Sequence, residues 1–84
     1  MKIEIEVNGI NYKINLESDG NDHENGTEFI IYGEDEDENG DLITIEALQQ
    51  INHPDVCEDD IIISSNIQTS KESIAEQINK LLSL

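Results

Sequence analysis

The sequence predicts an α+β fold: a small, mostly antiparallel sheet with a short middle helix and a C-terminal amphipathic helix on one face. The sheet is expected to comprise an N-terminal hairpin plus one to three further strands. Three observations predict this. Apolar and polar residues alternate on both sides of an Asn-Gly pair near the N-terminus, isoleucine-rich runs recur through the middle, and the last sixteen residues carry apolar side chains at helical spacing. The 84-residue length accommodates one domain, 1–84. A chain of this size buries roughly 60–65% of its unfolded surface, so one modest core is expected and a deep enclosed active-site cavity is not.

The N-terminal hairpin is justified first. Ile3, Ile5 and Val7 alternate with polar residues, as do Ile10, Tyr12, Ile14 and Leu16. Asn8-Gly9 between them suits the two positive φ values of a type I′ turn. A two-residue turn pairs Val7 with Ile10, Ile5 with Tyr12 and Ile3 with Ile14, which puts six apolar side chains on one face.

Residues 17–28 contain no large apolar residue and read as a mobile connection. Phe29–Tyr32 reads as a short strand, with 33–41 an extended acidic loop and Leu42–Ile45 its partner strand. A tight turn at Asn39-Gly40 is disfavoured because it would set Asp37 opposite Leu42 and Glu36 opposite Ile43. Glu46-Ala-Leu-Gln-Gln-Ile51 consists mostly of strong helix formers and ends at Asn52-His53-Pro54, hence a helix of about two turns. The continuous triplet Ile61-Ile62-Ile63 predicts a strand buried on both faces. Ile74, Ile78, Leu81 and Leu82 mark the stripe of the last helix, with Thr69 or Ser70 as its cap and Lys80 near its C-terminus.

Charge is the dominant signal. Twenty acids face four Lys and no Arg, a formal net charge of -16. Direct binding to nucleic acid or to an anionic membrane is thereby excluded, since both require a cationic footprint. No basic-then-apolar leader and no long apolar run occur, and the lone Cys57 forms no internal disulfide, so a cytoplasmic setting is expected. Self-repulsion predicts moderate stability that improves with salt.

The components of an active site are scarce. One Cys and two His offer only His53 with Cys57 as a nucleophile pair, and Glu58-Asp59-Asp60 beside the thiol leave it without the electropositive surroundings an activated thiolate needs. There is no Gly-rich phosphate loop, and the acids stand in hydrophilic runs rather than apolar pockets. The expectation is a non-enzymatic protein with no cofactor.

Asp35-Glu36-Asp37-Glu38-Asn39-Gly40-Asp41-Leu42-Ile43-Thr44-Ile45-Glu46 matches D-x-D-x-[DN]-G-x5-E and over these twelve residues resembles the EF-hand loop family. That resemblance implies Asp35, Asp37, Asn39, Asp41 and Glu46 as calcium ligands, with 46–52 as the exit helix. The segment before the loop reads as a strand, and Ile43 stands where a polar group is usual. The alternative is a solvated acidic turn.

Between Lys13 and Lys71 there is no cation, yet 16 acids fall in that stretch. Sixteen carboxylates equal the charge of roughly eight DNA base pairs. Carried by Glu34-Asp35-Glu36-Asp37-Glu38 and Glu58-Asp59-Asp60, this composition is similar to that of small phage-encoded inhibitors that mimic nucleic acid, such as anti-CRISPR, anti-restriction and uracil-glycosylase inhibitor proteins. The resemblance implies a partner with a cationic nucleic-acid site, such as a nuclease or CRISPR effector, held by those eight residues and Asp41. The competing expectations are the calcium-binding module and an accessory domain that docks through apolar surface.

Overall fold

The computed structural model describes residues 1–19, 28–50 and 55–83. β1 (Lys2–Val7) and β2 (Ile10–Asn15) form a two-stranded antiparallel sheet. β3 (Glu17–Asp19), β4 (Glu28–Glu36), β5 (Leu42–Gln50) and β6 (Ile61–Ile63) form an antiparallel sheet in that order. A 3-10 turn, Glu58–Asp60, precedes β6, and helix α1 spans Lys71–Leu82.

The first hairpin has the expected register, Ile3↔Ile14, Ile5↔Tyr12 and Val7↔Ile10. Its turn residues take the left-handed conformation, φ 52° at Asn8 and 82° at Gly9. Turn chemistry and hydrophobic period specify the same pairing, so neither has to yield.

β2 and β3 are separated by Leu16 alone. The chain leaves the first sheet at Asn15, buries Leu16, and joins the edge of the second sheet at Glu17, where it pairs with Tyr32. This corner crosses β4 at Gly33. A Cβ at Gly33 would stand 2.5 Å from Leu16 Cδ2 and 2.6 Å from the Asn15 carbonyl oxygen, so only glycine fits. The N-terminus is tied to the same corner: the Met1 ammonium donates to the Leu16 carbonyl at 3.0 Å, and the Leu16 N–H donates to the Met1 carbonyl.

One core lies between the two sheets and α1. Ile3, Ile5, Val7 and Ile14 from the first hairpin meet Ile31, Ile43, Ile45, Ala47 and Ile61 from the second sheet, and Ile74, Ala75 and Ile78 from α1 close the remaining side. Each buried isoleucine contributes about 1.5–3 kcal/mol relative to exposure. Ser70 caps α1 by accepting from the Ser73 N–H at 3.1 Å. Thr69, the other candidate cap, instead accepts from the Glu6 N–H.

Two side-chain amides of α1 hold backbone on separate parts of the fold. Gln77 accepts from the Glu4 N–H at 2.7 Å and donates to the Glu4 carbonyl at 2.8 Å. Asn79 accepts from the Val56 N–H at 2.7 Å and donates to the Val56 carbonyl at 3.0 Å. Gln77, with Gln68 and Thr69, thereby satisfies β1 along the edge that β2 leaves open.

Several expectations are corrected. The connection at 17–28 begins as a strand, β3. The stretch expected as a middle helix is strand: Glu46–Gln50 continues β5, and 51–54 lie outside the described residues. Pairing decides this against propensity, because Ile31 opposes Ala47 and Ile30 opposes Leu48 along β4, and burial in a sheet outweighs an intrinsic preference of a few tenths of a kcal/mol per residue. The acidic segment 33–36 is strand rather than loop. The register sets Gly33 opposite Ile45, Glu34 opposite Thr44, Asp35 opposite Ile43 and Glu36 opposite Leu42. Glu34 and Glu36 point to the outer face with Leu42, so acid and apolar neighbours share a solvated surface. β6 is an edge strand, not an inner one: Ile61 is buried, whereas Ile62 is 64% exposed.

Candidate interaction surface

The β4–β5 hairpin ends in the connection Asp37–Asp41, which an aspartate side chain organises. Asp37 Oδ1 accepts from the Asn39 N–H at 2.8 Å and the Asp41 N–H at 2.9 Å. The Asp37 carbonyl accepts from the Gly40 N–H, and its own N–H donates to the Asp41 carbonyl. Gly40 takes φ 81°, as the turn requires. Asp37 is 8% exposed, and its Oδ2 has no hydrogen-bond partner. The Glu38 N–H donates to the Tyr12 hydroxyl oxygen at 3.2 Å, which ties this tip to the first hairpin.

The nine acids expected to bind a partner therefore divide. Glu34, Asp35, Glu36, Glu38 and Asp41 are exposed around the tip. Asp37 is a structural residue of the turn, and its burial removes it from any contact surface. Glu58 and Asp59 are exposed and Asp60 is half-buried in the 3-10 turn before β6. Ile61 pairs with Ala47, five residues along β5 from Leu42, a distance of about 17 Å at ~3.4 Å per residue. The second cluster thus stands off the end of the sheet remote from the tip, and the fold does not gather the two into one patch.

The twelve residues of the EF-hand resemblance are strand, turn and strand. Glu46, the expected closing ligand, lies within β5 opposite Tyr32 and Ile62, remote from the turn. Asp37 Oδ1 is already engaged by two backbone N–H groups. Among the described residues no three acidic, His or Cys side chains converge as metal ligands. Cys57 is exposed, while His23 and His53 lie outside the described residues.

Charge is segregated by element. The four lysines sit on β1 (Lys2), β2 (Lys13) and α1 (Lys71, Lys80). The second sheet and its connections carry none. On its outer face the register places Glu17, Tyr32, Glu46 and Ile62 side by side across β3, β4, β5 and β6. Tyr32 donates from its hydroxyl to Glu34 Oε2 at 2.9 Å. That hydrogen bond, with partial desolvation and the nearby charges of Glu34 and Glu46, holds the phenol above its ordinary pKa. An open cleft of about 860 Å³ borders this row, lined by Asn15, Glu17, Ser18, Ile30, Tyr32, Gly33 and Glu34.

Tyr32, Glu17 and Ile62 were absent from the residues expected to bind, and Glu46 was expected only as a calcium ligand. The signal that could have found them is the period of two running through Ile30, Tyr32 and Glu34 and through Leu42, Thr44, Glu46 and Leu48. It becomes visible only when both runs are read as long strands. No protein-family model, curated protein or solved structure matches the chain. Among the described residues no helix is long and apolar enough to cross a membrane.

Proposed function

We propose that this protein is a non-enzymatic inhibitor that occupies the cationic nucleic-acid site of another protein by presenting a nucleic-acid-like acidic surface. The observation that carries the reading is the segregation of charge: every lysine lies on the β1–β2 hairpin or α1, and residues 14–70, which include the whole second sheet, carry 16 acids without a cation. A surface tuned for solubility alone mixes both signs, whereas a single-sign field steers an oppositely charged partner and raises its association rate. The exposed tip acids Glu34, Asp35, Glu36, Glu38 and Asp41 make charge-assisted contacts to Lys and Arg, and Glu58–Asp60 contribute from the far end of the sheet. A nuclease, including a CRISPR effector of the kind that phage anti-defence proteins target, fits this chemistry.

The test is affinity capture from bacterial lysate at low salt, followed by competition between the captured protein's nucleic acid and the inhibitor. A captured nucleic-acid enzyme that releases its DNA or RNA, with binding that weakens steeply with salt, supports the reading. Capture unaffected by neutralising Glu34, Asp35, Glu36, Glu38 and Asp41, or no nucleic-acid protein retained, overturns it.

A further inference from the structure

The outer face of the second sheet combines the acidic field with apolar side chains left in water. Tyr32 is 37%, Leu42 52% and Ile62 64% exposed, with Ile30 and Leu48 half-buried beside them. Directly opposed residues in an antiparallel pair share a face, so Tyr32 stands between Glu17 on β3 and Glu46 on β5, with its hydroxyl on Glu34. Ile62 adjoins Glu46 on the other side. Single exposed apolar residues are ordinary, but an aromatic ring flanked by three carboxylates and bordered by aliphatic side chains has the character of an interface core with an acidic rim.

We infer that this face is the docking surface for a cationic protein, with Tyr32 receiving an arginine side chain. The guanidinium stacks on the ring while Glu17, Glu34 and Glu46 balance its charge, and Ile62 and Leu42 cover the apolar stems of neighbouring basic residues. Charge complementarity selects this occupant. A second copy brings a net charge of -16 against the same charge, and nucleic acid or an anionic membrane is repelled likewise. The inference rests on the proposal that the partner is cationic. It adds the face that is used, a preference for arginine over lysine, and an apolar component that persists in salt.

The experiment is amide chemical-shift mapping with nona-arginine and nona-lysine peptides at 50 and 300 mM NaCl. The expected result is shifts centred on Tyr32, Glu46 and Ile62 that weaken steeply between 50 and 300 mM but leave a residual component at 300 mM, with arginine favoured by about 3-fold. Tyr32→Ala should abolish that preference, Tyr32→Phe should retain it, and Ile62→Thr should weaken the binding left at 300 mM. Both positions, Tyr32 and Ile62, are exposed, and melting curves verify that each variant is folded. Shifts confined to 34–41 and 58–60, with equal affinity for both peptides, overturn this face while leaving the cationic-partner reading intact. Binding of neither peptide at 50 mM overturns both. A dimer in sedimentation whose contacts cover Tyr32 and Ile62 assigns the face to a second copy and overturns the inference.

Discussion

Gln77 on α1 grips Glu4 on β1 at two points, accepting from its N–H at 2.7 Å and donating to its carbonyl at 2.8 Å across 73 residues of sequence. The amide reproduces the donor and acceptor pattern of a neighbouring strand. It closes part of an edge that would otherwise offer free backbone groups.

Asn79 makes the same two bonds to Val56 in a less exposed setting. Gln77→Ala is expected to cost about 1 kcal/mol, since water replaces the lost partner. Asn79→Ala should cost about 2 kcal/mol, because it strands the N–H and carbonyl of a residue only 3% exposed. Urea denaturation measures both, and equal losses would contradict the burial argument. Amide exchange should accelerate at Glu4 in the first variant and at Val56 in the second.

Gly33→Ala tests the strand corner. The added Cβ meets a backbone carbonyl as well as the Leu16 side chain, so relief requires β2 and β4 to separate. A loss of about 1–3 kcal/mol is expected, or roughly 10 °C in Tm for a domain of this size. An unchanged melting temperature would show that the corner is not tightly packed.

At the hairpin tip, Asp37→Ala deletes the acceptor for the Asn39 and Asp41 amides and should destabilise by about 1–2 kcal/mol. Asp37→Asn keeps an equivalent oxygen and removes a buried charge, so it should retain most of the stability. Thermal melting distinguishes this turn role from a charge role, in which both substitutions would act alike.

Tyr32 gives a pH prediction with a definite sign. Its folded-state pKa is raised above the ordinary 10, first by its hydrogen bond to Glu34. The associated stabilisation is complete below the unfolded value of about 10 and is lost as pH rises through the folded one. In a phenolate absorbance titration with Tyr12→Phe as the background, so that only Tyr32 absorbs, Glu34→Ala should move the ionisation to lower pH. A titration identical to that of the parent protein refutes the assignment.

Raising NaCl from 50 to 500 mM should raise Tm, because a net charge of -16 opposes compaction and the Debye length shortens with salt. Calorimetry at both concentrations checks this, and a Tm independent of salt would show that repulsion is already relieved in the fold.

The ends of the chain were legible in the sequence and the middle was not. At Val7–Ile10 the turn dipeptide and the period of two agree, and at Ile74–Ile78 the helical period and the Ser70 cap agree. Each element can therefore be read locally. Glu46–Gln50 is different, because its helix-forming composition is overruled by strand β4, whose own acids at 34–36 make it look like loop. Neither strand is recognisable without the other. Ile62 was misread for a related reason: a triplet of isoleucines is compatible with two buried faces, and only the position of β6 at the sheet edge shows that one face is in water. The candidate interaction surface inherits this, since the acids were visible as composition while the aromatic and aliphatic residues among them depend on the register.

The amide grips of α1 carry a final consequence. Gln77 and Asn79 carry no ionisable group, and the core they secure is largely isoleucine, so little of what fastens the helix responds to protons. Protonating the carboxylates lowers the mutual repulsion and, with it, the field that recruits a cationic partner. Acidification should therefore release the partner before it melts the scaffold, and neutralisation should restore binding without any refolding step.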